Sequence, residues 1–168
     1  MNSIESRLKD LGIDLPDAPK PVASYVPAVR TGNLLVVSGQ LAFEDGLLAS
    51  TGAVPSSTSV EDAISAARRC AINGIAVARS ALEGDLDLIR RVVRLGVFVQ
   101  SDAGFDAQPL VANGASDLMV EVFGEAGRHA RAAVGVSALP LDASVEIGLS
   151  LRHAQRLAAA ARGHAAPC

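Results

Sequence analysis

The chain reads as a single α+β domain: one sheet carrying two long helices on one face. Three observations predict it. Runs of alternating β-branched residues occupy both ends of the chain. Two long segments between them carry apolar residues at helical spacing, and a single β-like run separates those two segments. No repeat of fixed period and no linker divides the 168 residues, so a single core is expected over 1–156, with an Ala-rich tail from 157 to 168.

Taken in order, residues 2–12 mix Glu5, Arg7, Lys9 and Asp10 with Ile4, Leu8 and Leu11, the pattern of an amphipathic surface helix. This opening lacks the form of a secretory signal, so a cytoplasmic location is expected. After Pro16, Pro19 and Pro21, the stretches 25–30 and 34–38 form a β-hairpin turned at Thr31-Gly32-Asn33. Residues 43–57, rich in Gly, Ser and Pro, form a loop with at most a short strand near 47–49. Thr58 and Glu61 suggest a capping box for a helix carrying Val60, Ile64, Ala67, Ala71, Ile75, Ala78 and Leu82 and ending at Gly84.

A strand follows over 88–100, with Val93, Leu95, Val97 and Val99 on one face. A second helix begins near Pro109, and its stripe is Leu110, Leu118, Met119, Val122 and Phe123. Two strands close the fold, 131–136 and 145–152, the latter with Val145, Ile147, Leu149 and Leu151 inward. Leu34, Val36, Val92 and Phe98 give the opposite sheet face apolar residues too, and self-association through that face would cover them.

The bulk properties narrow the function. A net charge of -3 and 3% aromatic residues disfavour a nucleic-acid platform, and no apolar run spans a membrane. The histidines show no paired metal-ligand spacing, so no metal is expected, and without a nucleotide-binding or serine-hydrolase motif no cofactor is expected either. Cys70 reads as a buried small hydrophobe, and Arg90, Arg91 and Arg94 as a solvated, partly salt-bridged face. A small molecule is left as the partner.

The closing strands each place one charged residue among small ones: Arg131 with Ala133 and Gly135, and Glu146 with Gly148 and Ser150. If the two strands pair, these groups border a surface with room for a small ligand. Arginine can hold a carboxylate by two parallel hydrogen bonds, and a glutamate can orient or deprotonate a water. A cross-strand ion pair on a solvated face explains the same pattern and stays open at this point.

Tyr25-Val26 before Gly32-Asn33, Ser38-Gly39-Gln40, Val97-Phe98-Val99, Asn113, Ala130-Arg131, Leu139-Pro140 and Val145-Glu146-Ile147 come in an order that resembles the YjgF/Rid family, also called the L-PSP endoribonuclease family. The likeness runs from about Tyr25 to Leu151. It implies a chorismate-mutase-like fold with a mixed sheet, a homotrimer with ligand clefts between subunits, and hydrolysis of amino-acid-derived enamines and imines to a 2-keto acid and ammonia. It puts Arg131 on the substrate carboxylate and Glu146 at the attacking water, with Tyr25, Asn113 and Ala133 lining the cleft. His129 stands where the family usually has proline, and Ala133 where it often has cysteine. His129 reads as an exposed loop histidine, with a proton carrier as the alternative. Other readings that the resemblance allows are a binding or regulatory trimer without turnover, a hydrolase for a larger pathway-specific substrate and, disfavoured by charge, a ribonuclease.

Overall fold

The computed structural model describes residues 3–18 and 25–155, so Pro19, Pro21 and the tail from 157 onward lie outside the described residues. Helix α1 covers Ile4–Asp10, shorter than the expected 2–12, with Ser3 as its N-cap. Gly12, at φ 67, turns the chain where the helix ends, and only Leu8 of α1 is buried.

The hairpin is β1 (Ala28–Thr31) with β2 (Leu34–Leu41), paired antiparallel from Thr31↔Leu34 to Ala28↔Val37. Gly32, at φ 57, supplies the left-handed turn residue. Residues 25–27, expected within the first strand, precede it. The Gly/Ser/Pro-rich stretch contains a separate two-stranded ribbon, β3 (Phe43–Glu44) and β4 (Leu47–Leu48).

Helix α2 spans Val60–Ala81, and its cap corrects the expected box. Ser59, not Thr58, accepts from the Asp62 amide, while the buried Thr58 hydroxyl donates to the Thr51 carbonyl. Adjacent hydroxyl residues offer two registers for one cap, and burial decides between them. Gly84, at φ 88, follows the helix end as expected.

Strand β5 (Ile89–Gln100) is bulged between Ile89 and Arg91 and between Val92 and Arg94. The second bulge changes which valine enters the core. Val92 is fully buried and Val93 is exposed, the reverse of simple alternation. Helix α3 (Gln108–Phe123) has Pro109 in its first turn, and Val111 rather than Leu110 faces inward; Leu110 is exposed. Strands β6 (Ala130–Val136) and β7 (Val145–His153) complete the main sheet.

Its order is β1-β2-β7-β5-β6, with β5 and β6 parallel and the other neighbours antiparallel. This mixed sheet follows from the chain path. Helix α3 carries the chain from β5 back to a parallel neighbour, and β7 inserts between β5 and β2. Val145, Ile147, Leu149 and Leu151 on β7 join Leu35, Val37, Leu95, Val97 and Val99 in a core covered by α2 and α3 on one sheet face. The other face carries Val29, Val36, Phe98 and Val134, all exposed. Cys70 is fully buried in α2, where burial pushes its thiol pKa well up. Among the described residues no helix is long and apolar enough to cross a membrane.

The two long helices meet at Gly114, where an added Cβ would press on the Ile64 carbonyl of α2. Gly114→Ala is expected to destabilise by about 1–3 kcal/mol despite alanine's better helix propensity. Denaturant unfolding checks this; a stabilised variant would contradict the close helix contact.

Candidate functional site

The two charged strands do not pair, because β5 lies between β6 and β7. Arg131 pairs with Leu95, which pairs with the buried Leu149, so Arg131 is on the helix-covered face. Glu146 pairs with Phe98, which pairs with Val134, both exposed on the open face. The two charges thus sit on opposite faces, two strands apart and offset by three positions, about 10 Å across and about 10 Å along the sheet. A cross-strand ion pair between them within one chain is ruled out.

Glu146 is built into the centre of the open face. The β2 ladder slips between Val37 and Gln40, leaving Ser38 and Gly39 as a bulge beside β7. A Cβ on Gly39 would collide with the Glu146 carboxylate, so any larger residue there would force that carboxylate to shift. Gln40 Nε2 donates to the Ser38 and Gly39 carbonyls and holds the bulge in shape. The Ser38 hydroxyl donates to the Val26 carbonyl at 2.8 Å and its amide to the Pro27 carbonyl at 2.9 Å. These bonds fix the segment carrying Tyr25, itself 56% exposed, next to the bulge that receives Glu146. Burial raises the pKa of the half-buried Glu146 carboxyl. Gly148, Gly96 and Ala132 lie in one row across β7, β5 and β6 on this face.

Arg131 sits on the edge strand β6 beneath α3. Its Nη1 donates to Asn113 Oδ1 at 2.9 Å and to Ser116 Oγ at 3.0 Å. Asn113, expected to line the cleft, is here a hydrogen-bond partner of Arg131, and Ser116 is a second partner that the sequence did not suggest. Asn113 and Ser116 are one helical turn apart, so the spacing was available as a signal once Asn113 had been chosen. His129, expected as an exposed loop residue, is half-buried instead: Nδ1 lies 2.6 Å from the Gly127 carbonyl and Nε2 3.1 Å from Ser116 Oγ.

The small residues beside Arg131 have a packing cause. Ala133 packs on the core, and a Cβ on Gly135 would meet Gln108 Nε2 at 2.8 Å and Ser101 Oγ at 3.1 Å. They admit α3 rather than clear space for a ligand. The described residues thus form two separate groups: Arg131, Asn113, Ser116 and His129 at the β6 edge, and Glu146, Gly39 and the Tyr25 segment on the open face. A cavity of about 230 Å³ lined by Pro16, Asp17, Gln40, Phe43 and Asn73 includes neither Arg131 nor Glu146. Arg91, expected on a partly salt-bridged face, donates to the Arg128 carbonyl instead of to a carboxylate.

Comparison with known proteins adds a lineage to this geometry. Residues 5–151 match the family described as "YjgF/chorismate_mutase-like, putative endoribonuclease". Protein TCP17 of Trypanosoma cruzi is 48% identical over 145 residues, 86% of this chain and 90% of that protein. The crystal structure of Atu1372 from Agrobacterium tumefaciens is 52% identical, with a TM-score of 0.85 over 90% of this chain and 92% of that one. A structure from Shewanella oneidensis MR-1, carrying the same endoribonuclease description, is 32% identical with a TM-score of 0.86, covering 90% and 99%.

The Glu146 environment generates a pH prediction. Because burial raises its folded pKa, ionisation costs stability as pH rises through that value, whereas below the ordinary glutamate range both states are protonated. Glu146→Gln, neutral throughout, is expected to melt above the native chain at pH 8, with the difference fading towards pH 4. Thermal unfolding across that range checks it, and a variant melting below the native chain at pH 8 would contradict the buried-carboxylate account.

Proposed function

This chain belongs to the YjgF/chorismate mutase-like family, and on that premise we propose that it hydrolyses a small carboxylate-bearing enamine or imine to a 2-keto acid and ammonia. The observation that carries the reading is Arg131: an exposed guanidinium fixed by two neutral side chains and, among the described residues, given no acidic partner. An arginine held this way is prepared for a carboxylate from outside the chain.

The opposite-face geometry sets how the site would be completed. Arg131 and Glu146 of one chain cannot border one pocket, so the Arg131 half-site would meet the Glu146 and Tyr25 half-site of a second copy. A homotrimer with clefts between subunits satisfies this, and its assembly through the open face would bury Val29, Val36, Phe98 and Val134. In that cleft Arg131 holds the substrate carboxylate and Asn113 steadies the guanidinium. Water, hydrogen-bonded to Glu146, adds its oxygen to the imine carbon. An enamine first shifts a proton from nitrogen to its terminal carbon to give the imine. After the water adds, one of its protons passes by way of Glu146 to the nitrogen, and the remaining hydroxyl proton follows as the carbon–nitrogen bond breaks, so that ammonia leaves as the carbonyl forms.

A carboxylate raised in pKa by burial is the better base for that transfer, and positioning supplies much of the rate. The net charge of -3 supports a small ligand over RNA, because the chain has no basic excess to displace counterions. Neither a metal nor a cofactor enters the scheme.

The test is ammonia release from 2-aminoacrylate generated in situ. The native protein is expected to accelerate it, Arg131→Ala to lose about 100-fold in kcat/KM through the lost charged hydrogen bonds, and Arg131→Lys to fall between. No acceleration by the native protein would overturn the deaminase reading. Pyruvate binding without turnover would favour a metabolite-binding role for the same site.

A further inference from the structure

Both Nη1 hydrogens of Arg131 are engaged, one by Asn113 Oδ1 and one by Ser116 Oγ, and the Ser116 hydroxyl also contacts His129 Nε2. We propose that Ser116 and His129 are a positioning pair that orients the Arg131 guanidinium so that its Nε/Nη2 edge faces a small carboxylate. This deepens the reading of Arg131 as the carboxylate clamp and rests on it.

The direction of each hydrogen bond follows from the chemistry of the groups. The Gly127 carbonyl can only accept, so His129 Nδ1 carries the hydrogen. In the neutral ring Nε2 is then an acceptor, and the Ser116 hydroxyl donates to it. A hydroxyl whose hydrogen is committed to His129 turns its lone pairs towards Arg131, which has only donors. The chain of bonds runs one way, from Arg131 through Ser116 and His129 to the Gly127 carbonyl.

That last carbonyl is anchored independently. Gly127 is buried, and a Cβ there would collide with the Met119 carbonyl of α3, so the loop before β6 is pressed onto the helix that carries Ser116. Histidine, serine and arginine therefore keep a common frame. A proline at 129 would offer no side-chain acceptor, and the serine hydroxyl would be free to turn its hydrogen elsewhere.

Of the two guanidinium edges that can make parallel hydrogen bonds to a carboxylate, the one containing Nη1 is spent. The Nε/Nη2 edge carries none of the hydrogen bonds found for Arg131 among the described residues. The ligand carboxylate is thereby assigned to a single edge, which restricts the pose of the reacting carbon relative to the strand.

The experiment compares KM and kcat for 2-aminoacrylate, with pyruvate affinity by titration, across the native chain, Arg131→Ala, Ser116→Ala, Ser116→Thr and His129→Ala. The ring nitrogen signals of His129 are read by NMR. The expected result is a KM raised about tenfold in Ser116→Ala with kcat within about twofold, as for loss of one hydrogen bond to a charged group. Ser116→Thr, which keeps the hydroxyl, should return KM towards the native value, and His129→Ala should raise it severalfold. The native His129 ring should be protonated on Nδ1 and not on Nε2. Loss of function in Arg131→Ala with native KM in both Ser116→Ala and His129→Ala overturns this inference and leaves the clamp standing. An Arg131→Ala protein that behaves as native, or a native protein that neither turns over 2-aminoacrylate nor binds pyruvate, overturns both.

Discussion

The position of β7 governs the rest of the molecule. By inserting between β5 and β2 it becomes the middle strand of five and gives Val145, Ile147, Leu149 and Leu151 to the core. Strict alternation then sends Glu146 to the open face. The same insertion leaves β6 as an edge strand, reached from β5 through α3, so Arg131 must rise beneath that helix. Strand order and alternation together set the two charged groups on opposite faces of the sheet, two strands apart.

Glycines acting in two different ways support this arrangement. At Gly39, the missing side chain makes room for the Glu146 carboxylate within a β-bulge. At Gly114 and Gly127 it lets backbone approach backbone, bringing α3 against α2 and pressing the loop before β6 onto α3. The first kind shapes a polar group's surroundings, while the second sets the frame in which Asn113, Ser116, His129 and Arg131 meet. A small residue beside a charged one therefore has no single meaning, as Ala133 and Gly135 illustrate by packing against the core and α3.

Much of the fold was legible because periodicity reports which face a residue occupies. The inward set of β7, the two long helices, the hairpin at Gly32 and the ending at Gly84 all follow from local rules. What alternation cannot report is a bulge, so Val92 and Val93 exchanged places. Nor does it report which strands are neighbours, so whether Arg131 and Glu146 border one surface depended on a pairing that the strand order does not provide. Both residues were nevertheless visible as charges among small side chains, and Asn113 through the family likeness. Ser116, and its meeting with His129, escaped because that meeting depends on how α3 seats over β6, a tertiary fact with no sequence period. Thr58 yielded the cap to Ser59 for a related reason, since burial fixed which hydroxyl faced the helix end.

The most direct measurement of the composite site is complementation between two inactive chains. Arg131→Ala and Glu146→Gln proteins, each expected to be impaired alone, would be co-expressed with separate tags and the mixed assembly isolated. If each site takes Arg131 from one copy and Glu146 from its neighbour, every mixed trimer regenerates one intact site in three, and about a third of the native activity should return. If the mixed assembly stays as inactive as its parents, the two residues do not act across copies and the account is contradicted.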